Sequence, residues 1–318
     1  MLTIDSIYHA SEIINGLVRK TALIPAPTIC PGVDLYLKPE NLQITGSFKL
    51  RGAYYKISQL TNEECSAGVI ACSAGNHAQG VALAATKRDI HSVICLPETA
   101  PVSKIDATRR YGAEVVLSGR VYDDAYTTAI ELRNQYGYTL IHPFDDPYVI
   151  AGQGTVGLEI IEELIPDAIV VPVGGGGLIS GVAVAVKTIS PATKIYGVQA
   201  DGAASMLYAI RNGVPAAIPT SLTIADGIAV KKSGRLTFDI CSRLVDDIVT
   251  VTDEEIVSAI LLLLDRCKFV TEGAGAAAVA TVMSRKLDLL GKKVVCIISG
   301  GNIDLSTLGA FINKEIRN

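Results

Sequence analysis

The sequence is poor in charged residues and has no excess of basic ones. Asp, Glu, Lys and Arg make up 19% of its 318 residues, the formal net charge is −4, and hydrophobic residues account for 49%. This balance excludes intrinsic disorder and favours a compact globular protein, with a length that corresponds to roughly two domains. The lack of a basic surplus argues against a nucleic-acid-binding face.

Paired cysteine motifs are also missing. The seven cysteines are an odd number, none belongs to a C-x-x-C pair, and several lie within apolar runs. This usage predicts reduced, packed thiols in a cytoplasmic protein. Because an acid, Asp5, already stands near the start of the sequence, we expect no secretory leader there. No internal repeat or low-complexity tract is present.

Strand-like and helix-like runs alternate through most of the chain. Such alternation predicts an α/β protein with mostly parallel sheets covered by helices on both faces. We interpret residues 54–149 as a small domain of four short βα units, and residues 1–53 together with 150–318 as a large domain. The predicted strands cover residues 34–38, 69–72, 92–96, 114–117, 139–142, 169–173, 195–199, 248–251 and 294–298, and the clearest helices cover 76–87, 121–136, 154–164, 253–267 and 273–286.

Four consecutive glycines interrupt a long uncharged stretch, residues 168–186. The stretch is long enough to cross a bilayer, but Pro172 and the glycines break it in the middle, so a buried strand followed by a helix explains it better. Several N–H groups and the helix start would then be aimed at one point, which suits a phosphate. A plain turn needs only one or two glycines. The four glycines therefore predict an anion cradle at Gly174, Gly175, Gly176 and Gly177.

A lysine follows an aromatic residue in a glycine-flanked segment. Lys49 comes directly after Phe48, between Gly46 and Gly52. By itself such a lysine is usually a solvated surface charge. Beside a phosphate cradle it becomes a candidate Schiff-base lysine, whose amine must be held close to a carbonyl group.

Two further polar turns follow predicted strands. The segment from Ser73 through Ala74, Gly75 and Asn76 to His77 would present N–H groups at a helix start, where a carboxylate could bind. The default alternative makes Ser73 or Asn76 a helix N-cap, and His77 is assigned no catalytic role.

The second of these turns starts with Ser299, after the last predicted strand. Its hydroxyl could form a hydrogen bond with a ring nitrogen, but hydrogen bonds to local backbone groups explain it equally well.

A separate segment, Gly152–Gly157, matches G-x-G-x-x-G, but turn-forming residues precede it rather than a strand. We therefore attribute that match to close helix packing rather than to dinucleotide binding.

In their order along the chain, these four motifs resemble those of the fold type II pyridoxal-phosphate enzymes. Within that group the sequence is similar to the short catabolic threonine/serine dehydratases (ammonia-lyases), almost from end to end. The resemblance implies that Lys49 carries pyridoxal 5'-phosphate covalently and that Phe48 packs at its ring. It also implies that Asn76 bonds the phenolic oxygen of the ring and that Ser299 meets the pyridine nitrogen.

The resemblance assigns the remaining motifs to the charged ends of cofactor and substrate. The cofactor phosphate would be held by Gly174, Gly175, Gly176, Gly177 and Leu178. The substrate carboxylate would be bound by the turn of Ser73, Ala74, Gly75, Asn76 and His77. A neutral serine hydroxyl at the pyridine nitrogen would make the ring a weaker electron sink than a carboxylate would, which favours β-elimination over transamination.

The sequence departs from related families at a few positions. Ala74 stands where serine racemases carry a serine used as an acid/base, so elimination should dominate over inversion. Gln199 and Ser205 replace acidic ligands of a divalent ion, so we assign no metal site. Ile44 replaces an arginine common in nucleotide-activated relatives, which leaves nucleotide activation open. The sequence ends soon after the last motif, so we expect no appended regulatory domain.

The leading hypothesis is a cytoplasmic enzyme of amino-acid catabolism that converts L-threonine or L-serine to a 2-oxo acid and ammonia. One alternative keeps the elimination but acts on another β-hydroxy amino acid, such as hydroxyaspartate or phenylserine. The others are a serine racemase and an anion sensor without catalysis. The partners expected are a small amino-acid substrate and further copies of the chain in a homodimer or homotetramer, with no nucleic acid and no membrane.

Overall fold

The computed structural model describes residues 2–316. In this part of the chain, two parallel β-sheets are surrounded by α-helices, as the fold prediction required. The strands are β1 (Ile24–Pro25), β2 (Asp34–Pro39), β3 (Val69–Cys72), β4 (Ser92–Leu96), β5 (Glu114–Leu117), β6 (Thr139–Leu140), β7 (Ala168–Pro172), β8 (Lys194–Ala200), β9 (Asp247–Val251) and β10 (Lys293–Ile298). The helices are α1 (Ile4–Ile14), α2 (Lys49–Ser58), α3 (Asn62–Ala67), α4 (Asn76–Thr86), α5 (Val102–Arg110), α6 (Tyr122–Tyr136), α7 (Pro147–Glu163), α8 (Gly177–Ile189), α9 (Ser205–Asn212), α10 (Arg235–Leu244), α11 (Asp253–Leu262), α12 (Gly273–Met283) and α13 (Leu305–Ile316).

The larger sheet joins the two ends of the sequence. Its six strands have the order β1-β2-β10-β7-β8-β9, and all pairs are parallel except β1 with β2. Alternate residues of β7 face opposite sides of the sheet. Ile169 and Val171 pack with α8, whereas Ala168 and Val170 pack with α12. Both faces are therefore covered, which explains the uninterrupted apolar character of β7.

The smaller sheet lies entirely within residues 69–140. It has four parallel strands in the order β5-β4-β3-β6. The predicted fold class, an α/β protein of two mostly parallel sheets, is confirmed. The exact domain limits at residues 54 and 150 remain predictions.

Several predicted elements have different bounds in the structure. The α-helices predicted for residues 253–267 and 273–286 end at Leu262, where a π-helix follows, and at Met283. The strand predicted for residues 139–142 ends at Leu140, because the ring Nδ1 of His142 accepts hydrogen bonds from the N–H groups of Phe144 and Asp145 and closes a turn. The helix predicted to begin at residue 154 begins at Pro147, with Asp146 as its N-cap. The aspartates and proline interpreted as a turn are a helix-start signal.

The G-x-G-x-x-G match lies inside α7, where its glycines allow close helix contacts. A Cβ on Gly152 would come within 2.6 Å of the Gly52 Cα in α2. A Cβ on Gly154 would come within 3.0 Å of the carbonyl oxygen of Gly181 in α8. Backbone-to-backbone packing of three helices thus accounts for this motif, as the sequence interpretation proposed. In residues 2–316 no helix is long and apolar enough to span a membrane.

A fully buried cluster of charges ties α2 to its neighbours. The Arg51 guanidinium donates to both carboxylate oxygens of Glu40 at 2.8 Å and to those of Glu159 at 2.6 and 3.0 Å. The Lys38 amine donates to Glu159 at 2.6 Å, and the hydroxyl of Thr21 donates to Glu40 at 2.6 Å. Two positive and two negative charges therefore balance, and every carboxylate oxygen in the cluster has a donor.

Removing one member of this cluster should destabilise the fold strongly. Arg51→Met leaves Glu40 and Glu159 buried without their main partner, which costs about 3–5 kcal/mol of unfolding free energy. Lys20→Met is the matched control, because it breaks an ion pair with Glu162 whose side chains are 61% and 47% exposed. An exposed pair contributes at most about 1 kcal/mol. Urea denaturation measures both losses, and losses of equal size would contradict the assignment.

Candidate active site

One cavity of about 660 Å³ lies between the two sheets, at the carboxyl ends of β3, β7 and β10. Ligands bind at this edge in open α/β sheets. The structure brings every candidate site residue of the sequence analysis into the wall of this cavity. They are Phe48, Lys49, Ser73, Ala74, Gly75, Asn76, His77, Gly174, Gly175, Gly176, Gly177, Leu178 and Ser299. Their individual roles remain predictions.

Burial makes the amine of Lys49 easier to deprotonate than that of an ordinary lysine. Lys49 is the first residue of α2, and its Nζ donates a hydrogen bond of 2.9 Å to the carbonyl oxygen of Pro143. Among the described side chains, no carboxylate forms an ion pair with this amine. Burial lowers its pKa from 10.5 to about 8, although the charge of Glu272 opposes the shift. A lower pKa leaves a larger share of the amine neutral near pH 7, and the neutral amine is the form that attacks carbonyl carbons or accepts a proton.

The glycine loop leads directly into α8 and has space for no side chains. Gly176, the N-cap of α8, has a φ of 98°, in the left-handed region. A Cβ on Gly175 would come within 2.3 Å of the Phe144 ring. The carbonyl oxygen of Gly175 accepts a hydrogen bond of 2.6 Å from the Thr237 hydroxyl, so this acceptor already has a partner. The first N–H groups of α8 have no acceptor within the helix and can bind an anion.

A second helix start faces the same cavity. Gly75 is the N-cap of α4, and a Cβ at this position would meet nothing within 4 Å. The hydroxyl of Ser73 accepts a hydrogen bond from the Gly75 N–H at 3.2 Å, which shapes the turn. The ring of His77 points away, with Nε2 2.8 Å from the carbonyl oxygen of Ile141. Burial lowers the pKa of this ring to about 3, so the ring of His77 is neutral.

Ser299 lies between the cavity and the segment that carries Lys49. Its carbonyl oxygen accepts a hydrogen bond of 3.2 Å from the N–H of Phe48, the residue before Lys49. Next to it, Ser47 and Gly300 form an isolated antiparallel bridge. The Ser299 side chain is 3% exposed and lines the cavity. The last strand of the sequence thus fixes the position of the lysine segment.

Sequence reasoning missed several charged residues that line the cavity, and of these Glu272 contacts a predicted site residue. Glu272 immediately precedes α12, and its carboxylate accepts a hydrogen bond of 2.6 Å from the side chain of Asn76. Burial raises the pKa of its carboxyl group to about 7; the charge of Asp226 adds to the shift, and the hydrogen bond from Asn76 opposes it. The available signal was an isolated acid next to the small-residue run Gly273–Met283.

Backbone groups hold the side chain of Gln199, one of the two positions at which the sequence analysis assigned no metal ligand. The buried amide of Gln199 donates to the carbonyl oxygens of Val173 at 3.1 Å and Ala203 at 3.3 Å, and accepts from the N–H of Leu207 at 2.8 Å. Its amide group therefore connects the glycine loop to the start of α9. In the described part of the chain, no cluster of three His, Cys, Asp or Glu side chains could hold a metal ion.

These observations fit a ligand with an anionic end and a carbonyl group. The N–H groups at the start of α8 suit a phosphate, and the low-pKa amine of Lys49 suits an aldehyde. The start of α4 provides a separate place for a carboxylate, and the Ser299 hydroxyl provides a neutral partner for a ring nitrogen.

Comparison with known proteins gives a family and several close relatives. A family model described as pyridoxal-phosphate dependent enzyme matches residues 14–300. An L-threonine ammonia-lyase of Thermotoga maritima is 51% identical over 320 residues, covering 99% of this chain and 79% of that protein. The catabolic L-threonine dehydratase TdcB of Escherichia coli is 47% identical, covering 96% of this chain and 94% of that protein.

A solved structure agrees with the sequence comparisons. Maize serine racemase superimposes with a TM-score of 0.93 at 36% sequence identity, covering 99% of this chain and 98% of that one. The model of this single family spans residues 14–300, so it includes all ten strands of both sheets, the lysine segment, the turn of residues 73–77 and the glycine loop.

The lowered pKa of Lys49 can be measured by chemical modification of the ligand-free protein. Only a neutral amine is acylated, so the rate at Lys49 should rise with pH and reach half its maximum near pH 8. Lys20 is an internal control, because its hydrogen bond and ion pair with Glu162 raise its pKa above 10.5. Peptide mass spectrometry after a pulse of a small acylating reagent reports both rates. Equal midpoints at the two lysines would contradict the assignment.

Proposed function

This chain belongs to the pyridoxal-phosphate-dependent enzymes, and from this membership we propose that it is a threonine/serine ammonia-lyase. It converts L-threonine to 2-oxobutyrate and L-serine to pyruvate, releasing ammonia in both cases. The observation that carries the proposal is the convergence of the Lys49 amine, the glycine loop and the turn of residues 73–77 on one cavity. The choice of threonine is supported by the names of the most similar relatives.

The residues that hold pyridoxal phosphate are those at the strand ends. Lys49 would bond to its aldehyde carbon, and the N–H groups of residues 174–178 would bind its phosphate. Ser299 would donate to the pyridine nitrogen, Asn76 would donate to the phenolic oxygen, and Phe48 would pack at the ring. When bound, the cofactor supplies an electron-withdrawing ring that stabilises negative charge at the substrate Cα.

The chain's own groups bind the substrate and move its protons. The helix start at Ser73–His77 binds the carboxylate and so fixes the direction of the Cα–H bond. The free amine of Lys49 is a base with a pKa lowered to about 8, suited to removing the Cα proton. The electron pair of the broken Cα–H bond forms a Cα–Cβ double bond as the Cβ–O bond breaks, and the departing hydroxyl takes up a proton and leaves as water. The released enamine takes up water and yields the 2-oxo acid and ammonia.

Two residues favour elimination over other reactions. The Ser299 hydroxyl is neutral, so it would stabilise a protonated ring nitrogen less than a carboxylate would. The ring would then stabilise negative charge from the substrate Cα less well, which favours transfer of that charge to a leaving group. Ala74 provides no acid/base opposite Lys49. Inversion at Cα, which requires proton delivery from the second face, therefore has no donor at this position.

The cellular location and the oligomeric state of the enzyme are also proposals. A net charge of −4 and unpaired cysteines fit the cytoplasm. A homodimer or homotetramer is the expected assembly, since most soluble oligomers are built from identical subunits.

The first test compares two lysine variants on a panel of β-hydroxy amino acids. Lys49→Ala should lower the release of 2-oxo acid from L-threonine by roughly 10²–10⁴-fold, because the proton-transfer group is lost. It should also abolish the visible absorption of bound cofactor. Lys56→Ala is the control and should retain both, because Lys56 pairs with Asp146 away from the cavity.

The same panel separates the alternatives. Release from hydroxyaspartate or phenylserine but not from threonine would overturn the proposed substrate. A colourless wild-type protein that does not bind added pyridoxal phosphate would leave only the anion sensor.

A second test concerns the racemase alternative. Ala74→Ser places a hydroxyl on the face opposite Lys49, so the inversion of L-serine should rise relative to elimination. Chiral chromatography of serine after incubation measures D-serine, and pyruvate release measures elimination. An unchanged ratio would show that Ala74 does not limit inversion, and abundant D-serine from the wild-type enzyme would favour a racemase.

A further inference from the structure

The side-chain amide of Asn76 forms hydrogen bonds with two residues, Glu272 and Asn302, that belong to the layer of the larger sheet. Its Nδ2 donates to Glu272 Oε1 at 2.6 Å, and its Oδ1 accepts from Asn302 Nδ2 at 2.7 Å. Asn76 starts α4, which packs on the smaller sheet, whereas Glu272 precedes α12 and Asn302 follows β10. These hydrogen bonds therefore connect the layers of the two sheets at the cavity wall.

The direction of these hydrogen bonds leaves one Asn76 hydrogen free. Asn302 Nδ2 also donates to the carbonyl oxygen of Thr45 at 2.8 Å, so both of its hydrogens are used. The atom of Asn76 that faces Asn302 must then be the oxygen, and the NH₂ group must face Glu272. A primary amide has two N–H donors, and Glu272 takes one of them.

Gly300 and Gly46 leave the space that the side chains of Asn76, Glu272 and Asn302 need. A Cβ on Gly300 would lie 2.4 Å from Glu272 Oε1 and 3.0 Å from Asn76 Nδ2. A Cβ on Gly46 would lie 2.4 Å from Asn302 Oδ1. The two distances of 2.4 Å are far below van der Waals contact, so a side chain at Gly300 or Gly46 would displace the groups that form hydrogen bonds with Asn76.

We propose that Glu272 is a positioning residue that, by accepting one hydrogen of the Asn76 amide, directs the other toward the phenolic oxygen of the bound cofactor. The inference rests on the cofactor role given to Asn76 in the proposed function. Without the carboxylate, the NH₂ group of Asn76 loses its fixed acceptor and its free N–H loses a fixed direction. The cofactor would then bind more weakly and its ring oxygen would lie in a different electrostatic environment.

The charge of Glu272 adds a pH dependence to this arrangement. The charged groups that face it are Asp226, beside α12, Lys104 on α5 and Lys49 on α2. With burial, Asp226 raises the carboxyl pKa to about 7, while Lys104 and Lys49 oppose the shift. Glu272 is therefore neutral in mild acid and becomes a carboxylate as the pH rises through 7. The absorption spectrum of the bound cofactor should change over the same range.

The experiment measures cofactor affinity and absorption without any amino-acid substrate. Glu272→Gln keeps a carbonyl oxygen that can accept from Asn76, so its Kd for pyridoxal phosphate should stay within about threefold of the wild type. Glu272→Ala removes the acceptor and should raise Kd roughly tenfold, the effect of losing about one hydrogen bond. Gly300→Ala keeps the carboxylate but crowds it away from Asn76, and should weaken binding in the same direction.

The spectra provide the second measurement. The wild-type holoenzyme should show a change in cofactor absorption with a midpoint near pH 7, which Glu272→Gln should lack. Wild-type affinity in both Glu272→Ala and Gly300→Ala, or a Glu272→Gln variant as weak as Glu272→Ala, would overturn the proposal. A midpoint that persists in Glu272→Gln would overturn the assigned pH dependence.

This outcome is separate from that of the proposed reaction. A protein that binds the cofactor as described but leaves threonine unchanged would contradict the ammonia-lyase and leave the role of Glu272 intact. A protein that binds no pyridoxal phosphate would contradict both.

Discussion

A buried set of ion pairs two residues away from Lys49 fixes the start of α2. Arg51 uses its guanidinium to hold Glu40 and Glu159, which come from the segment after β2 and from α7. Because one turn of α2 is fixed to both neighbours, the lysine at its first position has little freedom to move. Catalysis by a single amine depends on such placement, since small displacements of a reacting group cost large factors in rate.

The topology of the larger sheet explains how distant segments converge on that amine. Strands β2, β10 and β7 are neighbours, so the residues that follow them come together at one edge. The Phe48 N–H donates a hydrogen bond to the carbonyl oxygen of Ser299, and the Lys49 amine donates one to the carbonyl oxygen of Pro143. The smaller sheet supplies the turn at Gly75 from the opposite side. Neither sheet alone forms a complete site.

Much of this arrangement could be predicted from the sequence because it depends on local patterns. Buried parallel strands are apolar and short, so eight of the ten were located within one residue of their observed ends, and β6 was placed with the right start. The glycine loop was recognisable because four glycines exceed what a turn requires. The edge strand Ile24–Pro25 was missed because two residues give no alternation to detect.

The parts that could not be predicted depend on long-range contacts. The hydrogen bond between Asn76 and Glu272 joins residues 196 positions apart. No local sequence pattern indicates that Glu272, which precedes a helix of small residues, contacts Asn76, which lies in the layer of the smaller sheet. The same is true of the Phe144 ring under the glycine loop, and of the amide of Gln199 bridging two carbonyl oxygens.

The central claim is that one amine of this chain bonds the cofactor. Borohydride reduction of the protein loaded with pyridoxal phosphate, followed by peptide mass spectrometry, tests it most directly. We expect the added mass of the cofactor on the peptide that contains Lys49, with one copy per chain. Attachment to any other lysine, or a loaded protein that acquires no added mass on reduction, would contradict it.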